Sequence, residues 1–290
     1  MPRSDVRLRR SLLFMPGSNL RALEKARTLP ADVIVFDLED SVAPEQKSEA
    51  RSNALAAVQS GNYGSRELIV RVNHLATHWG AEDLRATAAT GVAGIMLPKV
   101  ETAATLREVR EVLTVAGAPV DLPLWIMVET ARGVLNLGTI VGGDDALGPI
   151  VMGTTDLANE LGVSASGERS GLRTALSQCV LTAAAHRLDI IDGVFLDFCD
   201  EPGFAAACRQ GRELGFTGKS LIHPSQIVEA NRCFGISEAA AERARKVLDA
   251  WQAARDEGSG VAVLEGQLIE SMHVDSARRT LALYKSATNQ

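Results

Sequence analysis

Charged side chains stand at the ends of apolar, β-branched runs along the chain. VIVFDLED (33–40) ends in Asp37, Glu39 and Asp40, and ELIVRVNH (67–74) carries Arg71 and Asn73. GIMLPKV (94–100) carries Lys99, LWIMVET (124–130) ends near Glu129, and PIVMGTTDL (149–157) ends near Asp156. Burying an unpaired charge is costly, so apolar runs normally end in turn residues or neutral caps. A charge repeated at the same end of consecutive runs implies that those ends meet at one polar centre. Glu129 and Asp156, from successive runs, suit a hard divalent cation such as Mg²⁺, which takes oxygen ligands and keeps waters for a substrate to displace. The competing assignment is that each caps the helix after it, as Thr130 also can. The planar fork of Arg71 suits a carboxylate held bidentate. It equally suits an ion pair with Asp37, Glu39 or Asp40 on the neighbouring strand, and both can hold. Lys99 could serve as a Schiff-base lysine of the kind that barrel aldolases use. Its setting between Pro98 and Val100-Glu101 favours pairing with a nearby acid, and a metal solves the same electron-sink problem.

The other chemistry-bearing residues are less pointed. None of His74, His78, His186, His223 and His273 has HxH or HExxH spacing, which argues against zinc. His223, at the end of an apolar run and before Pro224, reads as a neutral hydrogen-bonding core residue facing the centre. The absence of GxSxG and of a Cys close to a His argues against a serine or cysteine hydrolase. PGSN (16–19) opens a helix whose N-terminus could take an anion, with Arg21 and Lys25 further on. Ser18 or Asn19 is equally an ordinary N-cap.

The elements that must position these residues follow from period and punctuation. Eight strands are expected, at about 11–16, 33–39, 67–73, 94–98, 123–129, 149–153, 191–197 and 219–223. Most are continuous apolar runs, as strands buried on both faces are. Helical stretches rich in Ala, Leu, Glu and Arg lie between them, including 19–29, 44–59, 101–115 and 172–187, and Pro44 suits a first helical turn. Strict alternation implies parallel strands joined by right-handed crossovers. Eight such units in this length predict a closed (β/α)₈ TIM barrel. An open doubly wound sheet is the runner-up, and no GxGxxG or GxxxxGK[ST] follows a strand to support it. The barrel domain is expected over 1–235. Residues 236–290 are expected to form a C-terminal helical lid or an arm that contacts a neighbouring subunit, with helices over 237–258 and 272–286 and a short apolar stretch at 260–271.

Bulk properties agree. A chain of 290 residues, 46% hydrophobic, can bury a large core, and its net charge of −6 argues against a broad nucleic-acid-binding face. No apolar stretch is long enough for a membrane span, and the N-terminus lacks the pattern of a signal peptide. The expectation is a cytoplasmic protein whose basic start (Arg3, Arg7, Arg9, Arg10) is a solvated arm. Cys179, Cys199, Cys208 and Cys233 have no CxxC spacing and read as reduced thiols.

The motifs SLLFMPGSN, ADVIVFDLEDSVAPEQKSEAR, LIVRVN, GIMLPKVE, MVETARGVLN, GTTDLANELG and GKSLIHPSQI, in that order, resemble the citrate lyase β-subunit-like proteins. These belong to the HpcH/HpaI aldolase superfamily, with the malyl-CoA and citramalyl-CoA lyases. The resemblance is strong over about residues 10–235. It implies a (β/α)₈ barrel, a homotrimer or hexamer, and Mg²⁺ dependence, with Mn²⁺ as an alternative ion. It also implies a coenzyme A thioester as substrate. Glu129 and Asp156 would be the metal ligands, and Arg71 would meet the substrate's carboxylate or thioester-derived oxygen. Glu39 and Asp40 would stand behind them, and Phe14, Ser18 and Lys25 would lie on the CoA-binding face. The implied reaction is retro-Claisen cleavage of a malyl-CoA or citramalyl-CoA type thioester into an acyl-CoA and a 2-oxo acid, or its reverse. Relatives use an Asp from an adjacent subunit as the acid. The matching stretch here, GQLIESMH (266–273), carries Glu270 in its place and Met272 where they have proline. A citryl-CoA-cleaving subunit working on an acyl-carrier protein within a complex is the alternative, and an idle scaffold or regulatory homologue is a reading from another class.

Overall fold

The computed structural model describes residues 7–288. Eight parallel strands close into a barrel in sequence order: β1 (Ser11–Pro16), β2 (Val33–Asp37), β3 (Glu67–Arg71), β4 (Gly94–Leu97), β5 (Leu124–Val128), β6 (Leu147–Met152), β7 (Ile190–Asp192) and β8 (Gly218–Leu221). The last strand pairs with the first through Ser11–Leu13 against Lys219–Leu221. The connecting helices are α1 (Leu20–Ala26), α2 (Lys47–Ser60), α3 (Gly80–Thr87), α4 (Ala103–Val115), α5 (Ala131–Val141), α6 (Thr154–Leu161), α7 (Arg173–Ala185), α8 (Glu201–Leu214) and α9 (Ile227–Phe234). The expected (β/α)₈ barrel is therefore the fold. Side-chain oxygens start several helices: Thr102 accepts from Thr105 N, Thr130 from Gly133 N and Asp200 from Gly203 N.

Alternation along each strand divides the side chains between two cores. Leu12, Val33, Val35, Ile69, Met96, Trp125, Met127, Val151 and Ile191 fill the lumen. Their neighbours, such as Leu13, Ile34, Phe36, Val70, Ile95 and Ile126, pack outward against the helices. Trp125 fits because glycines flank it: a Cβ on Gly148 would lie 2.4 Å from its Cδ1, and one on Gly94 2.8 Å from its Nε1.

The lower, N-terminal end of the barrel corrects one expectation. Arg9 and Arg10 are not a solvated arm. Arg9 bonds to Glu67 through Nε and Nη2 (2.5 and 2.8 Å) and to Asp189 through Nη1 (2.7 Å), and its guanidinium lies 5.4 Å from the Trp125 ring centroid. Arg10 grips Asp32 with its backbone N, Nε and Nη2. The sequence shows basic residues near the start but not the acids that three strands bring under them. Arg3 lies outside the described residues.

Several predicted strands end early: β3 stops at Arg71 and β8 at Leu221, each two residues short. β2 stops at Asp37 because that side chain takes the backbone N–H groups of Glu39 (2.9 Å) and Ser41 (3.1 Å), turning the chain out of the sheet. β7 stops at Asp192, and the apolar run that follows becomes a loop with Leu196 and Phe198 exposed. All four cysteines are free thiols. No helix among the described residues is long and apolar enough to cross a membrane.

Arg9–Phe234 forms one compact unit, and the segment from Gly235 onward forms another. The second unit contains α10 (Glu238–Asp256), capped by Ser237, and α11 (Ser271–Thr288). Between them the short apolar stretch is a hairpin, β9 (Ala262–Leu264) and β10 (Gln267–Ile269), turned by Glu265 and Gly266, both at positive φ. Its own small core includes Ala244, Val247, Ala262, Ile269 and Val274.

Candidate active site

The inward positions of successive strands end in charges. Val33, Val35 and Asp37 share a face of β2, Ile69 and Arg71 one of β3, and Trp125 and Met127, continued by Glu129, one of β5. In a barrel this C-terminal end carries the chemistry. Asp37 and Arg71 are register partners. Arg71 Nε and Nη2 donate to Asp37 Oδ1 and Oδ2 at 2.6 and 2.7 Å, a bidentate pair in which both residues are buried. Nη1 turns the other way, 2.9 Å from Glu39 Oε2 and 3.3 Å from Asp40 Oδ2. The Phe14 ring lies against the guanidinium at 4.9 Å. Of the three acids that the sequence offered Arg71, Asp37 makes the bidentate pair, and all three approach.

Burial pushes the Asp37 carboxyl up. The charge and hydrogen bonds of Arg71, with those of Ser41 and the Glu39 N–H, outweigh burial and hold it below the usual carboxylate range. Glu39 is the opposite case. Burial raises it, Arg71 lowers it, and the charges of Asp40, Glu129 and Asp37 raise it again, leaving it at about 8. The 2.9 Å approach to Arg71 lacks hydrogen-bond alignment, so Glu39 Oε2 is buried without a donor. The carboxyl is therefore neutral until the pH rises past about 8, and a further cation beside it would favour its charged form.

Glu129 is buried, and burial raises its carboxyl despite a 2.7 Å hydrogen bond from the Lys99 N–H to Oε1. No donor among the described residues reaches Oε2. Gly153 is required beside it, since a Cβ there would lie 2.3 Å from Glu129 Cβ and 2.4 Å from Oε2. Asp156 sits in the first turn of α6 but caps nothing; Gly153 is the N-cap, with no side-chain bond. Its partner is the Lys99 ammonium, 3.1 Å from Oδ2. Burial lowers Lys99, and its hydrogen bond and charge contact with Asp156 raise it above the usual lysine value. The expected pairing of Lys99 with an acid is thus observed. Thr130, not Glu129, caps α5.

Other candidates separate from this cluster. Asn19, not Ser18, caps α1, accepting from Ala22 N, and Lys25 is exposed near the end of that helix. His223 is no core residue. It is exposed, caps the turn Pro224–Gln226 and stacks on Phe198 at 4.7 Å. Its imidazole finds Ser225 instead of a buried partner. Glu270, in the second unit, is exposed at the start of α11, where its carbonyl accepts from His273 N.

Sequence reasoning missed the supports. Lys47, inside a run read only as helix, donates Nζ to the carbonyls of Leu38 and Glu39 at 2.8 and 2.7 Å, holding the loop that carries Glu39 and Asp40. Asn73 donates to Leu38 O and to the buried Asp83, which Arg51 also binds. A second buried charge group was missed as well. Asp192 takes Arg169 Nη1 and Lys219 Nζ, each at 2.7 Å, on the outward side of β7 and β8. Its signal was available, because Asp192 and Lys219 are charges within two adjacent predicted strands. Arg169 comes from a loop with no such mark.

Among the described residues no group of three or more His, Cys, Asp or Glu side chains could hold a metal. The donor set still suits a hard ion that keeps its waters and uses one or two carboxylates. Glu129 and Asp156 offer that pair, Glu129 Oε2 has no donor, and the centre is short of positive charge.

Known proteins resemble the chain along most of its length. The chain is 46% identical over 273 residues to the (3S)-malyl-CoA thioesterase of Cereibacter sphaeroides (strain KD131 / KCTC 12085), covering 94% of this chain and 93% of the relative. It is 35% identical over 285 residues to citrate lyase subunit beta of Leuconostoc mesenteroides subsp. cremoris, covering 97% and 94%. The crystal structure of CitE from Mycobacterium tuberculosis in complex with magnesium, acetoacetate and coenzyme A superposes with a TM-score of 0.75 at 31% identity, covering 95% of this chain and 97% of that one. The family model for HpcH/HpaI aldolase/citrate lyase matches residues 10–224, and the chain belongs to that family.

Proposed function

We propose that the chain is a Mg²⁺-dependent carbon–carbon lyase acting on a short 3-hydroxyacyl-CoA thioester of the malyl or citramalyl type. It cleaves between the hydroxyl-bearing carbon and the carbon next to the thioester, releasing an acyl-CoA and a 2-oxo acid. The observation that carries this reading is the charge deficit at the strand ends. Five acids, Asp37, Glu39, Asp40, Glu129 and Asp156, face three cations, Arg71, Lys99 and Lys47, and Glu39 Oε2 is buried without a donor. A divalent ion fits there, with Glu129 and Asp156 as its protein ligands. When bound, it supplies a Lewis acid that lowers the pKa of a chelated hydroxyl and stabilises charge developing on oxygen. Mn²⁺ suits the same oxygen ligands.

Arg71 works from the edge that Asp37 leaves open. The bidentate pair fixes the guanidinium plane, and Nη1 meets the substrate carboxylate or the oxygen of the forming thioester enolate. Glu39 and Asp40, on either side of Nη1, hold that edge and the site waters. The hydroxyl gives its proton to one of these waters as the carbon–carbon bond breaks, the oxygen becomes the carbonyl of the 2-oxo acid, and the bond's electron pair passes to the thioester α-carbon, which is then protonated. Glu270, supplied by an adjacent copy in a trimer or hexamer, is our candidate acid. Glu is one methylene longer than the family's Asp, and misplacements of about 1 Å can cost on the order of 10²-fold in rate. Lys25 and Ser18 fit the CoA side. Phe14, packed on Arg71, fits the thioester end of CoA better than the adenine.

Thioester hydrolysis is the second reading, favoured by the 46% identity to a malyl-CoA thioesterase against 35% to a citrate lyase subunit. There water attacks the thioester carbonyl and CoA leaves as the thiol, with the oxyanion held by the same Arg71 edge. The citrate lyase likeness also keeps open a citryl thioester on an acyl-carrier protein. Malyl-, citramalyl- and citryl-CoA incubated with Mg²⁺ separate these readings. A 2-oxo acid trapped with phenylhydrazine and no free thiol is the result expected for the lyase. Free thiol without a 2-oxo acid selects hydrolysis. Neither product, with or without an acyl-carrier protein, overturns both and leaves the idle scaffold.

A further inference from the structure

Lys99 touches both members of the carboxylate pair, by two different groups. Its backbone N–H donates to Glu129 Oε1 at 2.7 Å, and its ammonium lies 3.1 Å from Asp156 Oδ2. Its φ is +49°, a left-handed conformation that lysine seldom adopts and that persists only where the surroundings impose it. That backbone turn sends the amide to one acid and the side chain to the other. The two ends differ in freedom. Glu129 is buried, whereas the Lys99 and Asp156 side chains are 43% and 39% exposed. The ammonium can therefore swing into solvent at small cost, while the amide cannot leave Glu129 without a backbone change. No other cation among the described residues forms an ion pair with Asp156.

We propose that Lys99 is a placeholder cation. Its ammonium neutralises Asp156 while the site is empty and gives way to the divalent ion on binding, and its N–H keeps Glu129 aimed throughout. This rests on the reading of Glu129 and Asp156 as the ion's ligands. Two consequences follow. The ammonium competes with the ion for one carboxylate, so it weakens cation affinity. It also shields the acids from one another in the empty protein, so the empty state depends on it more than the loaded state does.

Mn²⁺ titration by isothermal calorimetry, with thermal unfolding with and without Mn²⁺, tests both. Lys99→Met should bind Mn²⁺ about tenfold more tightly than the wild type, a modest figure for a half-exposed pair. Lys99→Arg, which keeps the charge, should stay within roughly twofold of wild type. Lys99→Met should melt below wild type without Mn²⁺ and match it at saturating Mn²⁺. Lys99→Asn tolerates the left-handed backbone and should tighten binding in the same way, which covers failure of the methionine variant to fold. Equal or weaker Mn²⁺ binding by the uncharged variants, or a melting deficit that persists in Mn²⁺, overturns the placeholder role. Failure of the wild type to bind Mn²⁺, or binding unchanged in Glu129→Gln, overturns the metal-pair reading instead.

Discussion

Two groups of buried charge lie at the same end of the barrel, one inside the strand ring and one outside it. Outside, Asp192 is fully buried and receives Arg169 and Lys219, each at 2.7 Å. Burial raises its carboxyl, and the two cations more than reverse that, leaving it below the usual range. Inside, five acids share Arg71, Lys99 and Lys47, Glu39 is pushed up to about 8, Glu129 is raised, and Glu39 Oε2 has no donor. The outer group has cations to spare around one carboxylate and reads as a structural tie between β7, β8 and the helix layer. The inner group lacks positive charge and reads as a receptor for it. Buried carboxylates are common to both, so what marks the site is the unbalanced sign of the charge.

Neutralising one acid on each side should separate the two groups most sharply. Glu129→Gln should lower kcat/KM by about 10³-fold, about 4 kcal/mol of transition-state stabilisation. Its melting temperature should fall little or rise, because one of five crowded acids is gone; steady-state kinetics and thermal unfolding read both. Asp192→Asn should do the reverse. Leaving Arg169 and Lys219 buried without their carboxylate should cost about 3–5 kcal/mol in denaturant unfolding. The folded fraction should keep near-wild-type kcat. A collapse of kcat in folded Asp192→Asn would erase the distinction.

A smaller effect refines the inner group. Arg71→Lys keeps the charge but loses the fork that holds Asp37 with two nitrogens while Nη1 points elsewhere. It should cost about 10²-fold in kcat/KM. A purely electrostatic role would leave it near wild type. The smallest effect is a control remote in kind from both groups. Thr102→Ala removes the cap of α4 and should cost about 1 kcal/mol of stability with turnover unchanged.

Much of this was legible in the sequence. The apolar runs and the charges at their ends were legible, but the inward rows Val33-Val35-Asp37 and Trp125-Met127-Glu129 were not, because most runs are apolar on both faces. The barrel follows from eight such runs. Partner choice was not legible. Arg71 had three acids to choose from, and only the β2–β3 register, with Asp37 opposite it, decides among them. Arg9 and Arg10 looked solvated because their acids arrive from Asp32, Glu67 and Asp189, distant in sequence. β7 looked longer than it is because apolar residues beyond Asp192 carry the same pattern without a strand partner. Asp156 looked like a cap because a carboxylate in a first helical turn often is one, whereas here it faces Lys99.

Under the proposed function, the inner acids require a divalent cation to act on a malyl-type thioester. The direct measurement is turnover of malyl-CoA by metal-stripped protein, followed by product identity, with Mg²⁺ added back and with EDTA present. No turnover in EDTA, recovery on addition of Mg²⁺ and no recovery in Glu129→Gln are expected. Full turnover in EDTA, or recovery by Glu129→Gln equal to wild type, would contradict the proposed function.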